Sequence, residues 1–212
     1  MKKYAVKTGL TVYTINIITY NLKELISKIK SSIHLSSKAE DYLYSISKQK
    51  TVQKGEVLIR QGQTVKHTFF VTDGCLRSYV LDKNGKEHTL QFAIKDWWIS
   101  DFMAIYNNEL ATLTVECIKD SNIIEFKAKE LENIYSIFPE FEAFQRKNLE
   151  RHVVSLNKRI LNQLQLTATE RYDLFLEQYP DIEHYTPNYH IASFLGITQQ
   201  SLSRIRVERA RK

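Results

Sequence analysis

The spacing of apolar residues changes twice along this chain of 212 residues. It is helical over residues 21–33 and in a short second helix that Ser36 or Ser37 is expected to cap. From Lys50 the spacing becomes that of short strands, and from Phe141 onward it is helical again. The pattern predicts an α+β protein in which an antiparallel β domain lies between helical segments.

The predicted strands are short and are separated by glycine-containing turn signals. These signals stand at Gly55, Gly62, Asp73–Gly74 and Asn84–Gly85. Asp-Gly and Asn-Gly are the dipeptides that tight hairpin turns require. Two further strands, 113–118 and 122–127, are expected to meet at a turn over residues 119–121. Several antiparallel strands at regular spacing predict a sheet that closes into a small barrel or roll.

A long helix is predicted over residues 141–164, which contain no glycine or proline. Along it one apolar row recurs at gaps of four, three, four and four residues: Leu149, Val153, Leu156, Ile160 and Leu164. This spacing is close to a coiled-coil seam, so we expect the row to pack against a second copy of the chain. A second row, Phe141, Phe144, Val154 and Leu161, is expected to pack on the β domain. One buried helix in a monomer core is the alternative.

Residues 188–206 have the pattern of a helix, a tight turn and a second helix. The first helix is expected to end at Gly196, and the second to begin at Thr198. The inward-facing residues are Ile191, Ala192, Leu195, Leu202 and Ile205. This pattern is typical of a helix-turn-helix, whose second helix lies in the major groove of double-stranded DNA. A helical hairpin buried in a core is the alternative.

The charge distribution agrees with a polyanionic partner. The formal net charge is +6, and the residues from Ile197 to the end carry one acid, Glu208, against Arg204, Arg206, Arg209, Arg211 and Lys212. A solvated helix end, where cations favour the helix dipole, would give the same excess.

Several classes of protein are not indicated. Cys75 and Cys117 are far apart in sequence, so we expect two reduced core thiols in a cytoplasmic protein rather than disulfides or a thiolate metal site. Polar residues interrupt the apolar run in 1–21, which is neither a signal peptide nor a membrane span and to which we assign no role. Neither a phosphate-binding glycine loop nor a catalytic motif occurs, so we predict a protein that is not an enzyme and has no cofactor.

These elements, in this order, resemble the Crp/Fnr family of bacterial transcription regulators over roughly residues 22–212. The resemblance implies a homodimer with a β-roll sensor domain over 22–138, a dimerisation helix over 139–165 and a helix-turn-helix domain over 166–212 that binds a palindromic promoter site. Its most specific parts are Lys54-Gly55-Glu56 with Gly62, Asp73-Gly74, Ile191-Ala192 and Ser201-Leu202-Ser203-Arg204-Ile205. The last motif is similar to the branch common in Bacteroidetes-type bacteria.

The sensor half departs from the cyclic-nucleotide binders of that family. Those members carry a Gly-Glu pair followed by Arg-Ser or Arg-Thr, in which the arginine neutralises the cyclic phosphate. Here residues 99–102 read Ile-Ser-Asp-Phe, and residues 107–115 contain no arginine. Asp101 stands where the glutamate would, and with Thr112 it marks the candidate pocket for an unidentified effector. A buried phosphate needs a positive partner, so cyclic AMP is not expected to bind in the usual manner.

The helical angle assigns side chains of the second helix to the DNA. Gln199, Gln200, Ser203 and Arg204 are expected at base edges, because they lie near its amino end and away from the buried face. Arg204 matches the family's recognition arginine and is suited to guanine O6 and N7. The residues expected at phosphates are Thr198, Ser201 and Arg206.

Two other functions stay open. One is a small-molecule sensor that acts through protein contacts alone. The other is a cupin-like metal-binding β-roll, for which His67 and His88 are available. The roll has no His-x-His pair with a nearby glutamate, however, so we predict no metal site.

Overall fold

A computed structural model describes residues 22–211 and confirms the predicted α+β class. The segment 1–21 and Lys212 lie outside the described residues. The helices are α1 (22–30), α2 (Ser37–Ile46), α3 (Phe102–Asn107), α4 (Ala128–Ile137), α5 (Glu140–Gln165), α6 (Ala168–Gln178), α7 (Asn188–Leu195) and α8 (Gln199–Ala210), with a 3-10 helix at Ile182–His184. Ser36 caps α2, because its hydroxyl accepts a hydrogen bond from the Ala39 amide.

The strands form one antiparallel sheet. They are β1 (Ser47–Val52), β2 (Val57–Ile59), β3 (His67–Leu81), β4 (Glu87–Ala93), β5 (Trp98–Ile99) and β6 (Thr114–Lys127). The order is β1-β6-β3-β4, with β2 paired to β6 and β5 paired to β3. The long central pair β3 and β6 therefore organises the sheet, and β4 lies at one end of the strand order.

Two of the predicted turns are wrong. Asp73–Gly74 does not form a hairpin turn, because β3 continues through it from His67 to Leu81. Residues 119–121 likewise lie inside β6, which is one strand rather than two. The two segments face each other, and the register between β3 and β6 shifts there. Both turn signals therefore mark bulges that bend a pair of long strands.

The close approach of these bulges explains why the turn-like residues are there. Gly74 has φ +92°, and a Cβ on it would lie 2.2 Å from the Ser121 hydroxyl. That hydroxyl accepts a hydrogen bond from the Cys75 amide at 2.9 Å. A residue with a side chain would thus clash at Gly74 as well as strain its backbone. The hairpin predicted at Asn84–Gly85, by contrast, is confirmed between β3 and β4.

Three buried clusters hold the molecule together. One packs α1, α2, α4 and the start of α5 on the sheet, and a second fills the interior of the roll. The third joins Cys75, Phe92 and Ile118 of the sheet to α6, α7 and α8. The ring of Phe92 lies 5.9 Å from that of Phe175 and 5.2 Å from that of Phe194. The C-terminal helices therefore share a core with the β domain.

The long helix is present as α5, but its second apolar row behaves differently from the prediction. Phe141 and Phe144 are buried in the first cluster. Val154 and Leu161, which were expected to pack on the β domain, are 52% and 50% exposed. The prediction is wrong for these two because only the amino-terminal part of α5 belongs to the cluster formed with α1, α2 and α4.

Candidate nucleic-acid interface

The helix-turn-helix is formed where the sequence predicts it. Gly196 ends α7 in the left-handed conformation with φ +69°. The Ile197 amide then donates to the carbonyl of Ala192 at 3.0 Å, which satisfies one carbonyl of the helix end. Thr198 begins α8, since its hydroxyl accepts a hydrogen bond from the Ser201 amide at 3.1 Å. The turn between the two helices is thus fixed by a glycine and a cap.

One face of α8 is buried and the other is open. Leu202 and Ile205 pack in the cluster shared with α6 and α7. The residues predicted to meet base edges are all exposed: Gln199, Gln200, Ser203 and Arg204. Within residues 22–211, the Arg204 guanidinium makes no hydrogen bond or ion pair. It is therefore free to meet a ligand outside the chain.

The residues predicted to meet phosphates are engaged to different degrees. The Thr198 side chain is exposed and lies 2.9 Å from the hydroxyl of Ser201. Arg206 is held inside the domain, where it donates to the Tyr172 hydroxyl at 3.0 Å and forms an ion pair with Glu183 at 2.5 Å. It also donates to Asn188 at 2.5 Å. Arg206 therefore ties α8 to α6 and to the start of α7.

The two residues of the candidate effector pocket lie together, but their polar atoms bind each other. The Asp101 carboxylate is fully buried and accepts from the Thr112 amide at 2.7 Å and the Thr112 hydroxyl at 3.0 Å. It also accepts from the amide of Leu113 at 2.9 Å and that of Ala104 at 3.1 Å, the second of which caps α3. Asp101 therefore joins two backbone segments, and four donors in the chain already use its carboxylate.

The residues predicted to form the dimer seam lie on an open surface of α5. Leu149, Val153, Leu156, Ile160 and Leu164 are between 41% and 77% exposed. A buried helix in a monomer core is therefore not what the chain forms. Apolar side chains in a row of this kind are unfavourable in water unless another surface covers them.

No sequence pattern singled out Arg77, which is the largest fully buried side chain in residues 22–211. Its guanidinium donates to Glu116 through Nε at 2.9 Å and Nη2 at 2.6 Å, and it pairs with Glu87 at 2.7 Å. It also donates to the Thr89 hydroxyl at 3.2 Å and lies 4.0 Å from the centre of the Tyr79 ring. The available signal was an arginine in one apolar strand and a glutamate in another, which turn out to be directly paired.

His190 of α7 lies beside this buried ion pair. Its Nε2 is 3.7 Å from the Glu87 carboxylate. Burial, together with the charges of Arg77 and Lys54, lowers the pKa of His190 to about 3. Glu87 favours the protonated ring, but it is already paired with Arg77, so the effect of burial is the larger one.

Across residues 22–211 the structure contains no group of three or more His, Cys, Asp or Glu side chains placed to hold a metal ion. Cys75 and Cys117 are both buried free thiols, as the sequence predicts. In the described part of the chain, no helix is long and apolar enough to cross a membrane.

Comparison with known proteins finds a family match for the middle of the chain and finds relatives that match longer parts of it. Residues 49–137 match the cyclic nucleotide-binding domain family. The regulatory protein HlyX of Actinobacillus pleuropneumoniae is 21% identical over 210 residues, which cover 93% of this chain and 85% of HlyX. The transcriptional activator protein FnrA of Stutzerimonas stutzeri is 22% identical over 131 residues, which cover 62% of this chain and 53% of FnrA.

The fold is also found among solved structures. The structure of FixK2 from Bradyrhizobium japonicum superposes with a TM-score of 0.63 at 20% identity, covering 77% of this chain and 84% of FixK2. At this identity the likeness concerns the fold. The region shared with FixK2 includes most of this chain. The match to FnrA, by contrast, spans about half of the length of FnrA.

Proposed function

We propose that this chain is a homodimeric, sequence-specific DNA-binding transcription regulator of the Crp/Fnr family. Its DNA-reading element is α8, and its target is a palindromic promoter site on double-stranded DNA. Its relatives, a transcriptional activator protein and a regulatory protein, support a role in transcription regulation. The proposed form of this chain is a DNA-binding dimer in the cytoplasm. The contacts that this chain would make rest on its own residues.

The observation that carries the proposal is the open face of α8. The amino-terminal half of this helix presents two glutamines, a serine and an arginine to solvent, and no residue within 22–211 forms a hydrogen bond or ion pair with that arginine. Gln199 and Gln200 can pair with adenine, and Arg204 can bind guanine through two hydrogen bonds. Thr198 and Ser201, at the start of α8, are proposed to bind phosphates through their hydroxyl groups. Arg206 would support this surface through its bonds to Tyr172 and Glu183.

The exposed seam of α5 supports dimerisation. Packing Leu149, Val153, Leu156, Ile160 and Leu164 against their counterparts in a second copy would remove them from water. A two-fold axis at this seam would relate two copies of α8. Because successive major grooves on one side of DNA lie about 34 Å apart, such a dimer would bind two half-sites arranged as an inverted repeat.

The effector of this regulator is proposed not to be cyclic AMP bound in the manner usual for the family. The Asp101 carboxylate is buried and already accepts four hydrogen bonds from the chain. The segment 107–115 offers no arginine to neutralise a cyclic phosphate. The dimer therefore acts either constitutively or in response to another small molecule near the roll.

The test uses a duplex selected from a random-sequence pool by the wild-type protein. Arg204→Ala should weaken binding to this duplex by about 1 to 3 kcal/mol and relax the preference at one base pair in each half-site. Arg211→Ala removes the same charge from the other end of α8 and should leave the base preference unchanged.

Fluorescence anisotropy at several salt concentrations measures the DNA affinity of the wild-type protein and of each variant. An Arg204→Ala protein with wild-type affinity and base preference would remove Arg204 from the interface. A wild-type protein without DNA affinity at low salt would instead favour a sensor that acts through protein contacts.

A further inference from the structure

β4 is the last strand in the sheet order, and a side chain of the helix-turn-helix binds backbone groups at its open edge. The Ser193 hydroxyl of α7 accepts a hydrogen bond from the Thr89 amide at 2.8 Å and donates one to the Glu87 carbonyl at 2.8 Å. A strand at the end of a sheet normally leaves such groups to water or to another chain. Here a single serine bridges them, as a neighbouring strand would.

The next backbone groups of β4 are bound from α5. Arg159 donates through Nη1 to the Leu90 carbonyl and through Nη2 to the Thr89 carbonyl at 3.4 Å. Its guanidinium also lies 4.3 Å from the centre of the Phe194 ring of α7. Arg159 is partly buried, and this burial lowers the pKa of its guanidinium. Ser193, Arg159 and Phe194 together are called the β4 clasp.

The strand bound by the β4 clasp is also held by contacts of its side chains with a buried arginine of β3. The Glu87 and Thr89 side chains bind the buried Arg77, and Arg77 is held by Glu116 on the central strand β6. The backbone of these two β4 residues therefore contacts Ser193, while both side chains bind Arg77. The Glu87 carboxylate also lies 3.7 Å from Nε2 of His190 in α7. A shift of β4 would disturb both sets of bonds, so its position is defined on two sides.

We propose that the β4 clasp fixes the helix-turn-helix to the roll and to α5, and so sets the separation of the two recognition helices in a dimer. This inference rests on the proposed function, since it requires a dimer that binds two half-sites. A domain held rigidly before binding loses less conformational freedom when both half-sites are engaged. The clasp therefore contributes to affinity for a complete operator and not to the reading of bases within one half-site.

Two variants weaken the clasp without touching α8. Ser193→Ala removes the bridging hydroxyl, and Arg159→Lys keeps the charge but loses the planar fork that spans two carbonyls and the Phe194 ring. Lys158→Ala is the matched control, because it changes an exposed residue next to Arg159 on α5. Amide hydrogen exchange at Thr89 should become faster in Ser193→Ala and stay unchanged in Lys158→Ala.

DNA binding is measured on two probes, a palindromic duplex selected by the wild-type protein and a duplex that contains one half-site of it. Both clasp variants should bind the complete site about tenfold more weakly and the half-site within about twofold of wild type. Wild-type or higher affinity for the complete site in both variants would overturn the inference, as would unchanged exchange at Thr89 in Ser193→Ala. If the wild-type protein selects no sequence, the proposed function itself fails, and the exchange result then still reports whether the clasp holds the domains together.

Discussion

Replacement of Asp101 by alanine should destabilise the protein in the absence of any ligand. The carboxylate is the shared acceptor for three backbone amides and one hydroxyl. Removing it leaves these donors without a partner in a region that connects α3 to the start of β6. The size of the effect depends on which donors can reach water.

The exposure of the neighbouring residues gives the expected magnitude. Thr112 is exposed, so its amide and hydroxyl can bind water after the substitution. Ala104 and Leu113 are buried, so their amides would stay unsatisfied. Each buried donor left without a partner costs about 1 to 3 kcal/mol, and the Ala104 bond is also the cap of α3. With two such donors, we therefore expect Asp101→Ala to lower the free energy of unfolding by about 2 to 6 kcal/mol.

Urea unfolding at fixed protein concentration measures this change, with tryptophan fluorescence as the probe because Trp97 and Trp98 precede Asp101 closely in sequence. Asp41→Ala, which removes an exposed carboxylate on α2, is the control and should change stability by no more than about 0.5 kcal/mol. If Asp101→Ala unfolds at the wild-type urea concentration, the hydrogen bonds of the carboxylate do not stabilise the fold. A role of Asp101 in holding a ligand would then regain support.

Two further predictions concern the dimer and its pH dependence. Leu156→Glu combined with Ile160→Glu should convert the dimer to a monomer in sedimentation experiments, whereas Asn157→Glu should not; a stable dimer of the double variant would place the interface elsewhere. Because the pKa of His190 is about 3 in the folded protein and 6.5 is its ordinary value, its contribution to stability is complete above pH 6.5 and falls as the pH is lowered toward 3. Acidification from pH 7 to pH 5 should therefore lower the free energy of unfolding by about 2 kcal/mol, and His190→Gln should remove that part of the pH dependence; an identical pH profile in both proteins would contradict the assignment.

The helix-turn-helix could be predicted from the sequence because its signals are local. A glycine in the left-handed conformation at 196 and a capping threonine at 198 fix the turn within a few residues of chain. The spacing of Leu202 and Ile205 then determines which side chains of α8 face solvent. Neither depends on how the rest of the chain folds.

The features that the sequence could not supply depend on contacts between distant segments. Asp73–Gly74 has the composition of a hairpin turn, but its partner is the bulge at Ser121, which lies far along the chain. The same holds for Arg77, whose buried charge is acceptable only because Glu87 and Glu116 are brought to it by strand pairing. The β4 clasp also joins three elements that no local pattern connects.

The surroundings of Asp101 could be predicted from the sequence only in part. The family resemblance marks Asp101 and Thr112 as one candidate pocket, and the structure brings them within hydrogen-bond distance. The resemblance did not predict that the amides of Ala104 and Leu113 would share the same carboxylate. Which donors surround a buried acid is decided by the fold of the loop, and composition does not encode it directly.

The central claim is that the chain is a dimer that reads a specific DNA site, and selection from a random-sequence pool followed by footprinting tests it most directly. Such a dimer should enrich an inverted repeat and protect two half-sites whose centres lie about 34 Å apart along the duplex, with two chains bound. Enrichment of no sequence above the random pool at low salt would contradict this claim, and so would protection of one unrepeated half-site by a single chain.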